Sequence, residues 1–350
     1  MSQNEERIVN ADALRDLMER ILAAAGCSHE QSMTTADVLI EADLRGYSTH
    51  GLIRLPNMIR RIQSGMINAK ARPHIVQERE GSALVEGDRA MGPVGATYGA
   101  SLAARKAEKA GSCAVGVVNS DHICMTGYYA ERIARAGCVG IIAGVTQPLV
   151  HPFGGVERLM GTNPFSIAVP RNGDEPILLD FATSAIPFGM ILKASVTGEP
   201  IPEGVAVGPD GEPTTDAKTA AAGAVAPFGG HKGYGLCLLI GLLAGPLLGA
   251  KVGKPLSQSV DEGHYDKGDL FIAIDPSAFG DPKMFREMVE AHVGEVKNTR
   301  RAPGVEEIRV PGERSFREKE RRLREGISVG DGVWKQVSEL AEELKVAMPV

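Results

Sequence analysis

Gly92-Pro-Val-Gly-Ala-Thr-Tyr-Gly99 is the nearest approach in this chain to a glycine-rich nucleotide loop, and its reading decides the fold. A Rossmann turn needs G-x-G-x-x-G directly after a strand, where the glycines make the tight turn, admit a pyrophosphate and let helix pack on strand. Here the glycines stand at 92, 95 and 99, the wrong spacing, in a segment that opens a helix after a turn. A Rossmann domain is therefore not expected. The patterns GxxxxGK[ST], HExxH and GxSxG are missing too.

Outward from this helix, strand-like and helix-like segments alternate. From about residue 82 the strand candidates are Ala83–Glu86, Ala114–Val118, Val139–Val145, Phe165–Val169, Ile177–Phe181 and Leu270–Ile274, bounded by Gly, Asp, Asn and Pro. Helical stretches fall at roughly 93–110, 126–136, 233–249 and 282–297. Toward the N-terminus, residues 10–65 read as helical. Asn10 suits an N-cap, Leu14, Leu17, Ile21 and Ala25 recur at helical spacing, and Gly26 suits the stop. Ser28 with Gln31 makes a capping-box pattern for a second helix ending near Gly46, and a third short helix carries Pro56 in its first turn. Thr197 to Gly230, rich in Gly, Pro and Ala, reads as a long irregular excursion. Mixed charges over Gly312–Glu325 predict a solvated helix, and Trp334–Val346 an amphipathic one that docks on another element.

The chain has 350 residues, enough for about two domains. Its 38 Lys plus Arg against 44 Asp plus Glu, net −6, remove the basic footprint of a nucleic-acid binder. The 42 Gly and 21 Pro stay below the roughly 25–30% of a low-complexity chain. Five scattered cysteines (27, 113, 124, 138, 237) without a CxxC pair imply reduced thiols rather than disulfides or a zinc ribbon. MSQNEERIVNADAL lacks the basic and apolar regions of a secretory signal, so a cytoplasmic location is expected. The longest apolar run, Gly235 to Ala250, contains Pro246 and is shorter than the roughly 20 residues of a membrane span. It reads as a buried core helix, and no membrane partner is expected.

Four polar clusters could carry chemistry. In Arg45-Gly-Tyr-Ser-Thr-His-Gly-Leu-Ile-Arg54, His50 can exchange a proton near neutral pH, Thr49 or Ser48 can orient its ring, and Arg54 can hold a carboxylate. The competing explanation is a helix start with a capping Thr. Asn119-Ser-Asp-His122 ends a predicted strand just before Thr126-Gly-Tyr-Tyr at a helix N-terminus, a natural anion site, although His122 also suits a structural role. Gly161-Thr-Asn-Pro164 and Asp180-Phe-Ala-Thr-Ser184 adjoin short strands, where turn chemistry also explains them. In Gly229-Gly-His-Lys-Gly-Tyr-Gly235, glycines would let a ligand reach the backbone while Lys232 offers a charge to phosphate or carboxylate, with helix entry as the alternative.

In combination these residues resemble the malate/L-lactate dehydrogenases of the second type, over about 10–315. The ordered motifs are RGxxxHGxxR at 45–54, NSxH at 119–122, PFGGxxxxxGTNP at 152–164, DxATS at 180–184, IPEG at 201–204 and GGHKGYGL at 229–236. The resemblance implies an α+β, mixed fold, with a non-Rossmann, largely β cofactor domain packed against a helical domain formed by both chain ends. The expected division is 1–75 plus 312–350 for the helical domain and 76–311 for the cofactor domain, with the excursion at 197–230. It also implies an NAD(P)-dependent oxidoreductase that moves a hydride between NAD or NADP and a small 2-hydroxy or 2-oxo carboxylate, and a homodimer. By resemblance, His50 is the proton donor or acceptor with Thr49 bonded to it, Arg54 binds the substrate carboxylate, and Thr162 lies in the substrate pocket. The matching dinucleotide contacts are His122, Ile123, Cys124, Met125, Thr126, Asp180, Phe181, Ala182, His231, Lys232 and Pro311, Gly312, Glu313. No metal site is expected.

The sequence also departs from the family pattern. Asp121 stands where Asn is frequent, Met190 where a basic residue is common, and Val205 where an aromatic is common, while Thr146-Gln-Pro replaces a frequent Thr-Asn-Ser/Thr-Pro. Three alternatives stay open at this stage: a cyclic imino acid reductase of the same family, a non-catalytic dinucleotide-binding protein, and a metal-dependent lyase or hydrolase.

Overall fold

The computed structural model describes residues 6–173 and 175–349. Residues 1–5, where the reading of a leader began, lie outside the described residues, as do 174 and 350, so the two expected domain ranges are described only within those limits. β1 (Glu6–Val9) leads into α1 (Ala11–Ala24), which starts where Asn10 Oδ1 accepts the N–H groups of Asp12 and Ala13 at 2.9 and 3.2 Å. Ser28 opens α2 (His29–Leu44) with both bonds of the capping box, and Gly46 at φ +82° ends it. Two short 3-10 turns, Ser48–His50 and Leu52–Arg54, carry the chain into α3 (Leu55–Gln63), with Pro56 in its first turn.

The sheet region follows. β2 (His74–Arg79) and β3 (Ser82–Ala90) form an antiparallel pair, then come α4 (Gly92–Ala110), β4 (Ser112–Ser120), α5 (Thr126–Arg135), β5 (Val139–Gly144), β6 (Phe165–Val169) and β7 (Ile177–Phe181). Next are α6 (Phe188–Thr197), β8 (Ala206–Val207), α7 (Ala217–Ala222), β9 (Ala224–Val225), α8 (His231–Ala244), α9 (Gly253–Asp261) and β10 (Gly268–Ile274). The chain finishes with α10 (Pro282–Asn298), α11 (Glu313–Glu325), β11 (Ile327–Gly330) and α12 (Asp331–Glu343). All six strand candidates are present. β2 was not anticipated: it lies at the sheet edge with almost every side chain exposed, so no apolar alternation marks it.

Seven strands form one sheet in the order β2-β3-β4-β10-β5-β6-β7. Only β3 and β4 run parallel, joined across α4; every other neighbouring pair is antiparallel. This is not the all-parallel ladder of a Rossmann domain, as the 92–99 segment indicated. The glycines of that segment pack instead of cradling phosphate. A Cβ on Gly92 would overlap the His122 carbonyl, one on Gly95 would crowd Ser120 Oγ at 2.6 Å, and one on Gly99 would crowd Val117 Cγ2 at 2.6 Å. Spaced on one helix face, they let α4 lie close on β4 and β10.

One cluster of buried side chains runs from Leu14, Leu17, Ile21 and Leu39 through Val85, Val115 and Phe271 to Val337 and Leu340. A smaller cluster gathers Ile191, Ile201, Ala220, Val225 and Cys237. The stretch 197–230 carries only α7 and the two-residue strands β8 and β9, and Asp216 caps α7 by accepting Thr219 N–H at 2.7 Å.

Two helices differ from their sequence reading. The apolar run at 235–250 is not a buried core helix. α8 buries Gly233, Cys237, Ile240, Gly241 and Ala244 but leaves Leu239 58% and Leu247, in the turn after it, 64% exposed. The small residues are what fits against the sheet, so the leucines face outward. By length and composition alone, His231–Leu248 could cross a membrane. α11 is solvated on one side only: Phe316 is buried beneath the Arg45 guanidinium, Lys319 pairs with Glu41, and Arg322 donates to the Asp43 carbonyl at 2.7 Å. All five cysteines are free and buried.

Phe271, fully buried in the central strand β10 and edge-to-face with Tyr129 at 6.1 Å, is a keystone of the large cluster. Phe271→Ala should cost about 3–5 kcal/mol of stability in urea unfolding, the range for a fully buried aromatic.

Candidate active site

The site is built on the loop between α2 and α3. Asp43, buried at the end of α2, accepts Leu52 N–H with Oδ2 at 2.7 Å, and Gly51 passes so close that a Cβ there would overlap the carboxylate. Burial pushes the Asp43 carboxyl up to about 7, against the lowering effect of the Leu52 N–H and the Arg322 charge. Arg45, also buried, is held by Glu41 at 2.9 Å and Glu131 at 2.5 Å. Tied at both ends, the loop presents Thr49, His50 and Arg54 together. Thr49 Oγ1 lies 2.9 Å from His50 Nδ1, and Arg54 Nε donates to the Thr49 carbonyl at 2.6 Å. His50 as a residue is partly buried, and burial first and the Arg54 charge second lower its pKa to about 4.

His122 comes to the same place from β4. Asn119, the last residue but one of the strand, has φ +51°, and beyond Ser120 the His122 ring stacks on His50, 5.7 Å between centroids and 29° between planes. Cys124 N–H donates to His122 Nδ1 at 3.1 Å, which leaves the ring proton on Nε2. Burial, then the charges of Arg54, His50, Lys267 and Arg61, hold His122 well below the ordinary histidine range. Asp121, the departure from the family's frequent Asn, is answered by Arg61 at 2.7 Å. Lys267 pairs with Asp269, both fully buried, and the Tyr265 ring lies 5.7 Å from both the Arg61 and Lys267 cationic groups.

The remaining candidates form a second group. Asp180, at the end of β7, accepts Thr126 Oγ1 and Ser166 Oγ at 2.7 Å each with Oδ1, and Gly127 N–H at 2.9 Å with Oδ2. Its carboxylate therefore fastens the start of α5 to the sheet. Leu178 N–H donates to the Pro311 carbonyl at 3.1 Å, which brings Pro311, Gly312 and Glu313 alongside β7. Thr162 lies 3.1 Å from Thr146 through their hydroxyls, and its carbonyl accepts Thr183. His231 and Lys232 begin α8, exposed, with His231 6.0 Å edge-on to Phe153. No hydrogen bond or ring contact joins them to His50, Arg54 or His122 among the described residues.

The α8 start fits a dinucleotide diphosphate. Gly229 and Gly230 are left-handed, nothing lies within 4 Å of a Cβ on Gly229, no side chain caps the first N–H groups, and Lys232 has no acidic partner among the described residues. Free N–H groups, open backbone and a cation are what a phosphate needs. No group of three His, Cys, Asp or Glu side chains gathers in metal-binding geometry among the described residues.

Residues 9–338 match the model of the malate/L-lactate dehydrogenase family. A malate/(S)-sulfolactate dehydrogenase of Methanothermus fervidus is 38% identical over 342 residues, 97% of this chain and 99% of that protein. The crystal structure of malate dehydrogenase from Entamoeba histolytica superposes with a TM-score of 0.94 at 30% identity, over 99% of this chain and 100% of that one. A delta1-piperideine-2-carboxylate reductase from Pseudomonas syringae superposes at 0.84 with 30% identity, over 96% and 100% of the two chains. The chain belongs to the malate/L-lactate dehydrogenase family and is an oxidoreductase that uses a nicotinamide cofactor on small hydroxy or oxo acids.

Arg61, Tyr265, Lys267, Asp269 and Asp43 were not among the sequence candidates. Lys267 and Asp269 are two apart at the start of β10 and so share a sheet face, a readable signal. Nothing in the sequence links Arg61 to Asp121 or Asp43 to Leu52. Gly51→Ala must push the loop away from Asp43, so turnover should fall at least about tenfold while the fold survives, checked by steady-state rates beside circular dichroism.

Proposed function

We propose that this enzyme transfers a hydride between NAD or NADP and the 2-carbon of a small 2-hydroxy or 2-oxo carboxylate, with His50 moving the proton and Arg54 holding the carboxylate. The observation that carries the reading is the joint anchoring of His50 and Arg54 on Thr49, one through its hydroxyl and one through its carbonyl. With Nδ1 engaged by Thr49, Nε2 is the atom free to meet the substrate oxygen. His50 is neutral at neutral pH, ready to accept the hydroxyl proton during oxidation. Reduction needs His50 protonated, and a carboxylate seated on Arg54 cancels the charge that opposes this. Bound nicotinamide supplies the hydride acceptor or donor. Thr162 belongs to the substrate side. His122 to Thr126, Asp180 to Ala182, His231, Lys232 and Pro311 to Glu313 would line the dinucleotide.

The domain division is part of the same reading and is supported by the antiparallel pairing of β1 with β11, which joins the two chain ends. A homodimer is supported by the outward leucines of α8, an apolar face suited to a second copy of the chain rather than to a membrane. Five buried free thiols support a cytoplasmic setting. The cyclic imino acid reductase reading is favoured by the likeness to the piperideine-carboxylate reductase, and the same His50 would then serve a ring nitrogen.

Reduced nicotinamide should be consumed with at least one member of a panel of 2-oxo acids and cyclic imines. His50→Ala should lose at least about 100-fold in turnover while cofactor affinity is retained, and wild-type reduction should speed up from about pH 8 to pH 6 as protonated His50 becomes more available. Consumption by no member would overturn the proposal. Leu239→Glu with Leu243→Glu should shift light-scattering mass from dimer to monomer.

A further inference from the structure

Two charged side chains, Arg61 and Asp121, stand between the loops that carry His50 and His122 and take no part in the proton or carboxylate steps. Arg61 lies on α3, seven residues after Arg54, which is about two helical turns. Asp121 directly precedes His122, and its backbone N–H donates at 3.0 Å to the carbonyl of Ala90, the last residue of β3. Arg61 Nε donates to Asp121 Oδ2 at 2.7 Å, while Oδ1 turns back to accept His122 N–H at 2.5 Å. The two side chains are only 20% and 10% exposed, so water competes little for the pair.

The guanidinium is fixed on a second side. It lies 5.7 Å from the centre of the Tyr265 ring, whose hydroxyl accepts Gln147 N–H at 3.4 Å. Among the described residues no other hydrogen bond or ion pair joins residues 48–63 to residues 119–126. Arg45 and Glu131 join α2 to α5 separately, so cutting the Arg61 link leaves the two regions attached. A buried ion pair also adds little net stability over an apolar pair of the same shape. What this one fixes is register: the start of α3 meets Thr49 beside His50, and its last turn meets the residue next to His122.

Resting on the proposed function, we infer that Arg61 and Asp121 are a positioning pair: by joining the last turn of α3 to the His122 turn, their contact sets the spacing between His122, on the dinucleotide side, and His50, on the substrate side. The 5.7 Å stack of the two rings is the distance it holds. Hydride transfer needs donor and acceptor carbons brought into contact, and a displacement of about 1 Å can cost about 100-fold in rate.

The test is a double-mutant cycle in the intact enzyme, with reduced nicotinamide and whichever of pyruvate, oxaloacetate, sulfopyruvate and delta1-piperideine-2-carboxylate the wild type turns over fastest. Asp121→Asn keeps an oxygen for His122 N–H but points amide N–H groups at Arg61, and Arg61→Met removes the cation while keeping an unbranched chain beside Tyr265. Each should lower kcat by at least about tenfold with KM for that substrate within about threefold, because Arg54 and its Thr49 anchor are untouched. The double variant should lose no more than the worse single one. Circular dichroism and the melting temperature check the fold. Wild-type kcat in the folded single variants, or losses that multiply in the double, would overturn the inference. So would opposite shifts of the two pH profiles at unchanged maximal kcat, since removing a cation and removing an anion act oppositely on the imidazoles, whereas a broken tie acts alike in both. No turnover by the wild type with any of the four substrates would instead sink the proposed function itself.

Discussion

The buried carboxylate of Asp43 is the constraint on which the site depends. A side chain at the end of α2 has no ordinary reason to be ionisable and fully enclosed, and burial outweighs the Leu52 N–H and the Arg322 charge to lift its pKa to about 7. What it provides is a fixed acceptor for Leu52 N–H, where the second 3-10 turn begins. Because Gly51 has no Cβ, the backbone can come down onto that acceptor. Short 3-10 turns are poor at fixing direction by themselves. The carboxylate supplies the missing restraint, and α11 braces it from behind through Arg322.

Charges beneath the site follow the same logic. Burying an ion costs several kcal/mol unless a partner and further hydrogen bonds repay it. Arg61 with Asp121 and Lys267 with Asp269 satisfy that condition in pairs, with Tyr265 between them. Such pairs add little net stability; burial first and the Arg54 charge second keep both imidazoles neutral, with Lys267 and Arg61 adding to that at His122 alone. The negative charge at Asp121 is thereby balanced by Arg61.

Local chemistry was legible in the sequence, and long-range pairing was not. Asn10 and Ser28 announce their helices because a cap is a contact between residues two or three apart. The six strand candidates stand out because one or both of their faces are covered. β2 escaped because its side chains face solvent, and the place of β10 between β4 and β5 could not be read because strand order is a matter of distant partners. The exposure of α8 was hidden for a related reason: a helix apolar on all sides reads as core whether it is covered by its own chain or by another. At the site, His50, Arg54 and His122 were visible as polar residues in glycine-rich settings. Their supports, Asp43 and Arg61, look like any other helix residue until the fold brings Leu52 and Asp121 to them.

The pairing of β1 with β11 has a consequence for how the polypeptide matures. Val9 finds its partner Ile327 only after nearly all the intervening chain has been made. During synthesis on the ribosome, β1 therefore waits as a short unprotected edge while the central sheet is already able to assemble. A nascent product cut short before β11 would keep that edge open, and an open edge invites strand exchange between neighbouring chains.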